Sequence, residues 1–315
     1  LETGWPLGTF PELNHSATLP HPSRPVSVPT ANSPNQVKVQ VQEFVPTAAY
    51  RVHDNLSLAA GLELYWANTA ELNSNLGKLR GDGNGVGFNL SALYRRDAWS
   101  VGLVYRSQST LDIDGMYTPQ NTTLVALNSF LTSIGSRGLQ PAQTASVELD
   151  LPWRLQMGVR YEVTEALAVE LDYWRTGWSS FETLEVIGDD TGAVIFADTN
   201  DWEDSNAYRL GVTYQVRPET QLRFGYAYDE TGQPDAHFSA RVPDNDRQLF
   251  SIGVAQVLGD GYSLEGAYTY ARANDRNFRA DAPYLGGADV NGTSALDGDY
   301  ESSAHVVGLS LVKVF

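Results

Sequence analysis

The chain has 315 residues, a net charge of −17, no cysteine, and 16 Tyr, 11 Phe and 7 Trp. No run of about 18 apolar residues occurs, which excludes a helical membrane span, and the missing cysteines exclude disulfides and thiolate metal sites. The acidic balance excludes nucleic acid as a partner, because phosphate binding needs clustered Lys and Arg.

Residues 1–36 are rich in proline and show no alternation. They are expected to form an extracellular loop segment leading into the first strand. From 37 to 315 the apolar residues repeat with period 2, the spacing of a strand with two unlike faces. Eleven strands are predicted, at 37–52, 56–66, 85–96, 99–111, 146–163, 167–186, 204–216, 222–229, 246–258, 262–274 and 301–315. The phase slips near Glu43, which places a bulge beside Pro46. The clearest run is 146–163, where Val147, Leu149, Leu151, Trp153, Leu155, Met157 and Val159 share one face and Glu148, Asp150, Arg154 and Arg160 the other.

The gaps between strands alternate in length. Tight turns are expected at 53–55, 96–98, 164–166, 217–219 and 259–261, with long polar loops at 69–84, 112–144, 187–203, 231–245 and 275–299. Bacterial outer-membrane barrels have short periplasmic turns and long extracellular loops. A soluble β-sandwich has no reason to segregate its loops by length. Aromatics mark both strand ends: Tyr94, Trp99, Tyr161, Tyr214 and Tyr262 near the turns, and Tyr105, Trp153, Tyr173, Tyr208, Tyr228 and Tyr268 near the loops. Two such belts fit two headgroup interfaces. The fold class expected is therefore all-β, a transmembrane antiparallel β-barrel. Eleven strands is an odd count, whereas bacterial barrels have even ones. Without a visible signal peptide, the chain is expected to start downstream of the true N-terminus.

Two long loops have helical spacing. Leu124, Leu127, Leu131 and Ile134 form one stripe with Phe130 beside it, and Leu72, Leu76 and Leu79 form another. These stripes offer an apolar groove for ligand, or they pack on each other over the barrel mouth; the sequence leaves both roles open. On the lumen face, charges of both signs alternate along the strands. Most suit ion-pair networks, while Arg106 and Arg154 are the first candidates to receive a ligand carboxylate. Trp174 and Trp178 are expected inward, walling an apolar pocket or packing against a plug. The five histidines, His15, His21, His53, His237 and His305, show no local catalytic arrangement, although a triad is spatial. No catalytic residue, metal site or cofactor is expected.

Several segments resemble the FadL/TodX family of outer-membrane transporters for hydrophobic compounds. They are LPWRLQMGVRYEVTEALAVELDYWRTGWSSF at 151–181, YRLGVTYQVRPETQLRFGYAYDETGQP at 208–234, VPDNDRQLFSIGV at 242–254 and VPTAAYRVHDNLSLAAGLELYWANTAEL at 45–72. WPLGTFP at 5–11 is similar to the loop before that family's fourth strand. The resemblance implies a fourteen-stranded barrel whose fourth to fourteenth strands match the eleven here, with the N-terminal hatch and first three strands lying outside this sequence. It also implies a groove on two loops where ligand first docks, and passive transport of long-chain fatty acids or aromatic hydrocarbons. Fatty acids are favoured because lumen arginines are available. A barrel enzyme of the lipase or protease kind, and an adhesive or structural barrel, are the alternatives. The expected surroundings are outer-membrane lipid and lipopolysaccharide, with Phe315 as the C-terminal signal for the barrel assembly machinery and a monomer as the working unit.

Overall fold

The computed structural model describes residues 36–73, 77–119, 141–239, 243–284 and 291–314. Strands β1 (Gln36–Phe44) and β2 (Thr47–His53) precede a long hairpin of β3 (Leu56–Asn73) and β4 (Gly77–Arg96). Next come β5 (Trp99–Arg106), β6 (Ser109–Pro119), β7 (Gln143–Leu151) and β8 (Arg154–Thr164). After β9 (Leu167–Thr176) a 3-10 turn (Trp178–Ser180) leads to β10 (Thr183–Gly188) and β11 (Ala193–Thr199). Strands β12 (Ser205–Arg217) and β13 (Thr220–Asp229) are followed by a 3-10 turn (Asp235–His237). The chain ends with β14 (Arg247–Gly259), β15 (Tyr262–Ala273), β16 (Arg276–Phe278), β17 (Gly298–Tyr300) and β18 (Ser303–Lys313).

Eleven strands form one antiparallel wall in the order β2-β3-β4-β5-β8-β9-β12-β13-β14-β15-β18. All five tight turns fall where the sequence places them. Two of them hold an aspartate in the left-handed region, Asp97 at φ 51 and Asp260 at φ 50, a conformation Asp tolerates better than most residues. Where a bulge is expected beside Pro46 the strand instead ends and a new one begins, and the register shift of β1 lies between Gln40 and Val41. Along the wall the outer residues are apolar and open to the surroundings, among them Leu103, Leu171, Phe224, Ile252 and Leu309. The inner residues carry ion pairs: Arg160 with Glu170 at 3.5 Å, and Arg223 with Glu265 at 3.5 Å. This is the polarity of a wall in lipid, the reverse of a soluble core. The paired belts are present, with Trp99 against Tyr161 at 4.4 Å near the turns and Tyr173 against Tyr208 at 5.6 Å towards the loops. Lys313 lies over the Tyr262 ring at 3.8 Å and donates to the Asp260 carbonyl, as a snorkelling lysine should. Strands β2 and β18 are the ends of this order and do not pair with each other among the described residues.

Above the wall the sheet forks. The lower half of β4 pairs with β5, from Asn89↔Arg106 to Arg96↔Trp99, while its upper half pairs with β6, from Asn84↔Asp112 to Gly77↔Pro119. A second limb therefore runs β1-β3-β4-β6-β7-β10-β11. It buries an apolar cluster that includes Ala70, Leu79, Leu111, Ile113, Tyr117, Val147, Val186 and Phe196. Residues 69–73 and 77–84, expected within a loop with a helical stretch, are instead the upper ends of the paired strands β3 and β4. Leu72 and Leu79 are cross-strand partners there; their helix-like spacing arises because the chain doubles back between them. Parts of the other expected loops are also strand: β6 and β7 flank 120–140, and β10 and β11 make a hairpin over 183–199.

The fork also explains why four expected strands are each broken in two. The predicted strands 37–52, 99–111, 146–163 and 167–186 divide at 45–46, at 107–108, at 152–153 and at 177–182. At 107–108 and 152–153 the facing of odd and even residues is exchanged. Odd residues of β8 point outward and odd residues of β7 point into the upper core, so Met157 is 42 % exposed and Val147 4 %.

Candidate functional site

The inner face at the level of the fork gathers three guanidinium groups. Asn89 of β4, Arg106 of β5 and Arg154 of β8 stand side by side in register, Arg106 and Arg154 being Cα partners. Gln156, one step further along the inner face of β8, is opposite Trp174 of β9, and Trp174 is opposite Ala207 of β12. Alternation then puts Arg209 on the same face. The Trp174 ring has the Arg209 guanidinium 3.8 Å from its centroid and that of Arg154 at 5.7 Å. Both lie in the range of a cation–π contact.

The three cations differ in their partners. Arg106 holds Glu43 at 2.8 Å and Glu63 at 3.4 Å. Arg209 holds Asp229 at 3.2 Å, an aspartate shared with Arg247 at 3.5 Å. The Arg154 guanidinium has no carboxylate within ion-pair distance and donates no hydrogen bond among the described residues; its contact is the face of Trp174. Glu63 is fully buried, and its second oxygen accepts a hydrogen bond from the Tyr65 hydroxyl at 2.7 Å. A buried charge without a partner is costly, so Glu63 depends on Arg106. The arrangement offers one uncompensated guanidinium next to an aromatic face, suited to a carboxylate head with an apolar neighbour.

Of the residues expected at a site, the structure unites Arg106, Arg154 and Trp174. Trp178 is not with them. Strand β9 ends at Thr176, and Trp178 opens a 3-10 turn in which it packs on Trp202 at 5.0 Å, with Phe181 edge-on to Trp202 at 5.5 Å. Leu79 is buried in the upper core and Leu72 packs on that core from its edge; they line no helical groove. Leu76, Leu124, Leu127, Phe130, Leu131 and Ile134 lie outside the described residues. Arg209 and Glu63 complete the cluster. Both are lumen charges by alternation, and what sequence withholds is which cations are already paired.

A concave pocket of about 820 Å³ lies elsewhere, beside the break between β7, β8 and the Trp178 turn. It is lined by Asp112, Asp114, Glu148, Asp150, Glu182 and Glu185 and by no Lys or Arg. Asp112 and Asp114 alternate with the buried Leu111 and Ile113, so it opens on the face away from the core. Its charge repels an acid and its lining is too polar for a hydrocarbon. The lumen cluster is the better candidate.

The family described as outer membrane protein transport protein (OMPP1/FadL/TodX) matches residues 22–315. A 47 kDa outer membrane protein of Pasteurella multocida is 27 % identical over 73 % of this chain and 55 % of its own length. A long-chain fatty acid transport protein of Escherichia coli O6:H1 is 30 % identical over 65 % of this chain and 46 % of its own. The chain thus spans about half the length of these curated relatives. A FadL homologue of Pseudomonas aeruginosa has the same fold with a TM-score of 0.72, at 20 % identity over 87 % of this chain and 67 % of that one. The toluene transporter TbuX of Ralstonia pickettii gives 0.60, at 14 % identity over 89 % and 69 %.

Proposed function

Because the chain belongs to the OMPP1/FadL/TodX family of outer-membrane β-barrel proteins, we propose that it forms part of a passive conduit for hydrophobic molecules that carry one acidic head, long-chain fatty acids in the first place. The single observation behind this is Arg154, an inward guanidinium with a free fork beside the Trp174 ring. Arg receives a carboxylate bidentately. Such a charge-assisted pair contributes about 1.5–3 kcal/mol, and each buried methylene about 0.8 kcal/mol. A plain aromatic hydrocarbon, like the substrate named for TbuX, gains the methylene-type term and leaves Arg154 unused. The matched fatty acid transport protein of Escherichia coli points the same way. The conduit needs no cofactor and performs no bond chemistry. It works as a monomer between lipid and lipopolysaccharide, long loops outward, and Phe315 serves its insertion. First docking on the stripe of Leu124, Leu127, Leu131 and Ile134 belongs to the same reading.

The test is binding of a long-chain monocarboxylate and of the alcohol of equal length to the intact protein in detergent. Arg154→Gln should remove about a tenfold preference for the acid and leave the alcohol unchanged. Equal loss for both ligands would refute the role of Arg154.

A further inference from the structure

We infer that Glu63 is a specificity-determining residue: it limits the lumen site to a ligand head bearing one negative charge. This rests on the reading of Arg154 as the anion receptor and extends it to the charge of the ligand. Glu43, Glu63, Arg106 and Arg154 form a contiguous set of four charges, since Arg106 contacts both carboxylates and is the register partner of Arg154. The set is neutral when empty, and the neighbouring Arg209 is held by its own carboxylate, Asp229. A monoanion on Arg154 brings it to one net negative charge, and a dianion to two. Glu63 is the member that cannot be screened, being fully buried and fixed by the Tyr65 hydroxyl, whereas the Glu43 side chain is 26 % exposed.

A fixed buried charge acts on each ligand charge separately. Glu63 on β3 and Arg154 on β8 are three strand spacings apart, roughly 14 Å, and at an effective dielectric of about 20 removing the charge strengthens each ligand charge by about tenfold in affinity. Glu63→Gln keeps the shape and the hydrogen bond acceptor for Tyr65 while deleting the charge. It should tighten a long-chain monocarboxylate by about tenfold and an alkylmalonate, with two carboxylates on one end, by about a hundredfold. The neutral alcohol of equal length should not change. Glu43→Gln should shift the acids in the same direction by less, because water screens Glu43.

The experiment measures these three ligands on the intact protein and on both variants. A dianion-to-monoanion ratio unchanged by Glu63→Gln, or an alcohol affinity that shifts with the acids, overturns the inference. If Glu63→Gln fails to give the heat-modifiable folded form, Glu63→Met, of similar length and without charge, is read in the same way. Arg154→Gln separates the two levels. If it abolishes the acid preference and Glu63→Gln still changes nothing, the role of Glu63 alone falls.

Discussion

The carbonyl oxygen of Thr110 lies 2.5 Å from the point where a side chain on Gly85 would begin, and a methyl group of Leu111 lies at 2.9 Å. Gly85 sits on the inner face of β4 at the level where pairing passes from β5 to β6. The two strands approach so closely there that only a residue without Cβ fits. Gly85→Val should therefore force β6 away, at about 1–3 kcal/mol for overpacking. Gly102, with nothing within 4 Å of its Cβ position, is the control, and Gly102→Ala should be silent. Urea unfolding in detergent, with limited proteolysis around 112–119, reads both. Equal stability of the two variants would show that the approach of β4 and β6 is not rigid.

Val147 and Met157 test the exchange of faces at 152–153. Both are odd residues of one unbroken alternating run, and Val147 lies in the upper core while Met157 faces outward. Val147→Asn places an unpaired amide in that core and should cost about 1–3 kcal/mol. It should loosen the upper limb and leave insertion of the wall intact. Met157→Arg puts a charge on the lipid side, where it costs about 2–4 kcal/mol near the midplane and less near the interface. It should reduce the folded, heat-modifiable fraction instead. If both variants lose the same property, the two residues share one face.

The wall was legible in the sequence because its signals are local. A tight turn such as 259–261 and the alternation on either side of it are enough to place two strands. Alternation likewise put Arg106, Arg154 and Trp174 inward. It could not reveal the fork, because a period of 2 states that two faces differ and never which one faces the core. Val147 and Met157 continue one pattern across a break that swaps them. The helical reading of Leu72 and Leu79 failed for a related reason: positions seven apart also meet across a hairpin. The row Gly81, Gly83, Gly85, Gly87 was the available clue, since four inward glycines leave room for a neighbouring strand. Partner choice among the lumen charges depends on contacts between residues tens of positions apart, such as Arg106 with Glu43, which no local pattern encodes.

Glu71 lies beyond the membrane-spanning part of β3. Lys78 donates a hydrogen bond to its carboxylate at 3.1 Å and Arg80 stands at 3.3 Å, and they hold the carboxyl below its ordinary value. A carboxyl depressed by folding adds stability above its unfolded value, near 4, and that stability is lost as pH falls through the folded value. The β3–β4 tip should then open more readily below about pH 4 than at neutral pH, by a small amount because the group is near solvent. Hydrogen exchange of the Glu71–Arg80 pairing across this pH range measures it. Glu71→Gln should remove the added pH dependence; an unchanged profile would assign the effect to other carboxylates.

Arg276 joins two connections at the loop end of the barrel. Its guanidinium lies 4.4 Å from the Phe238 ring centroid and donates to the Asp235 carboxylate, the Gln233 carbonyl and, at 2.7 Å, the Asp244 carbonyl. Those groups belong to the β13–β14 connection, whereas Arg276 itself starts the β15–β18 connection at β16. Phe238, Phe278 and Leu296 form a small dry cluster under this link, with Tyr300 at its edge. The Arg276 side chain is 11 % exposed, so its bonds to the Gln233 and Asp244 carbonyls are shielded from solvent, whereas its Asp235 partner is 81 % exposed. Arg276→Ala leaves the Asp244 carbonyl and the Asp235 carboxylate without that partner and removes the cation from the ring. Loss of about 2 kcal/mol of local stability raises the open population about thirtyfold. Cleavage of the β15–β18 connection by added protease should accelerate by that order when opening is fast relative to cleavage. The wall strands β13, β14, β15 and β18 pair through their own ladders, so the heat-modifiable form should persist. Cleavage at the wild-type rate in a folded Arg276→Ala protein would show that the aromatic cluster alone holds the two connections together.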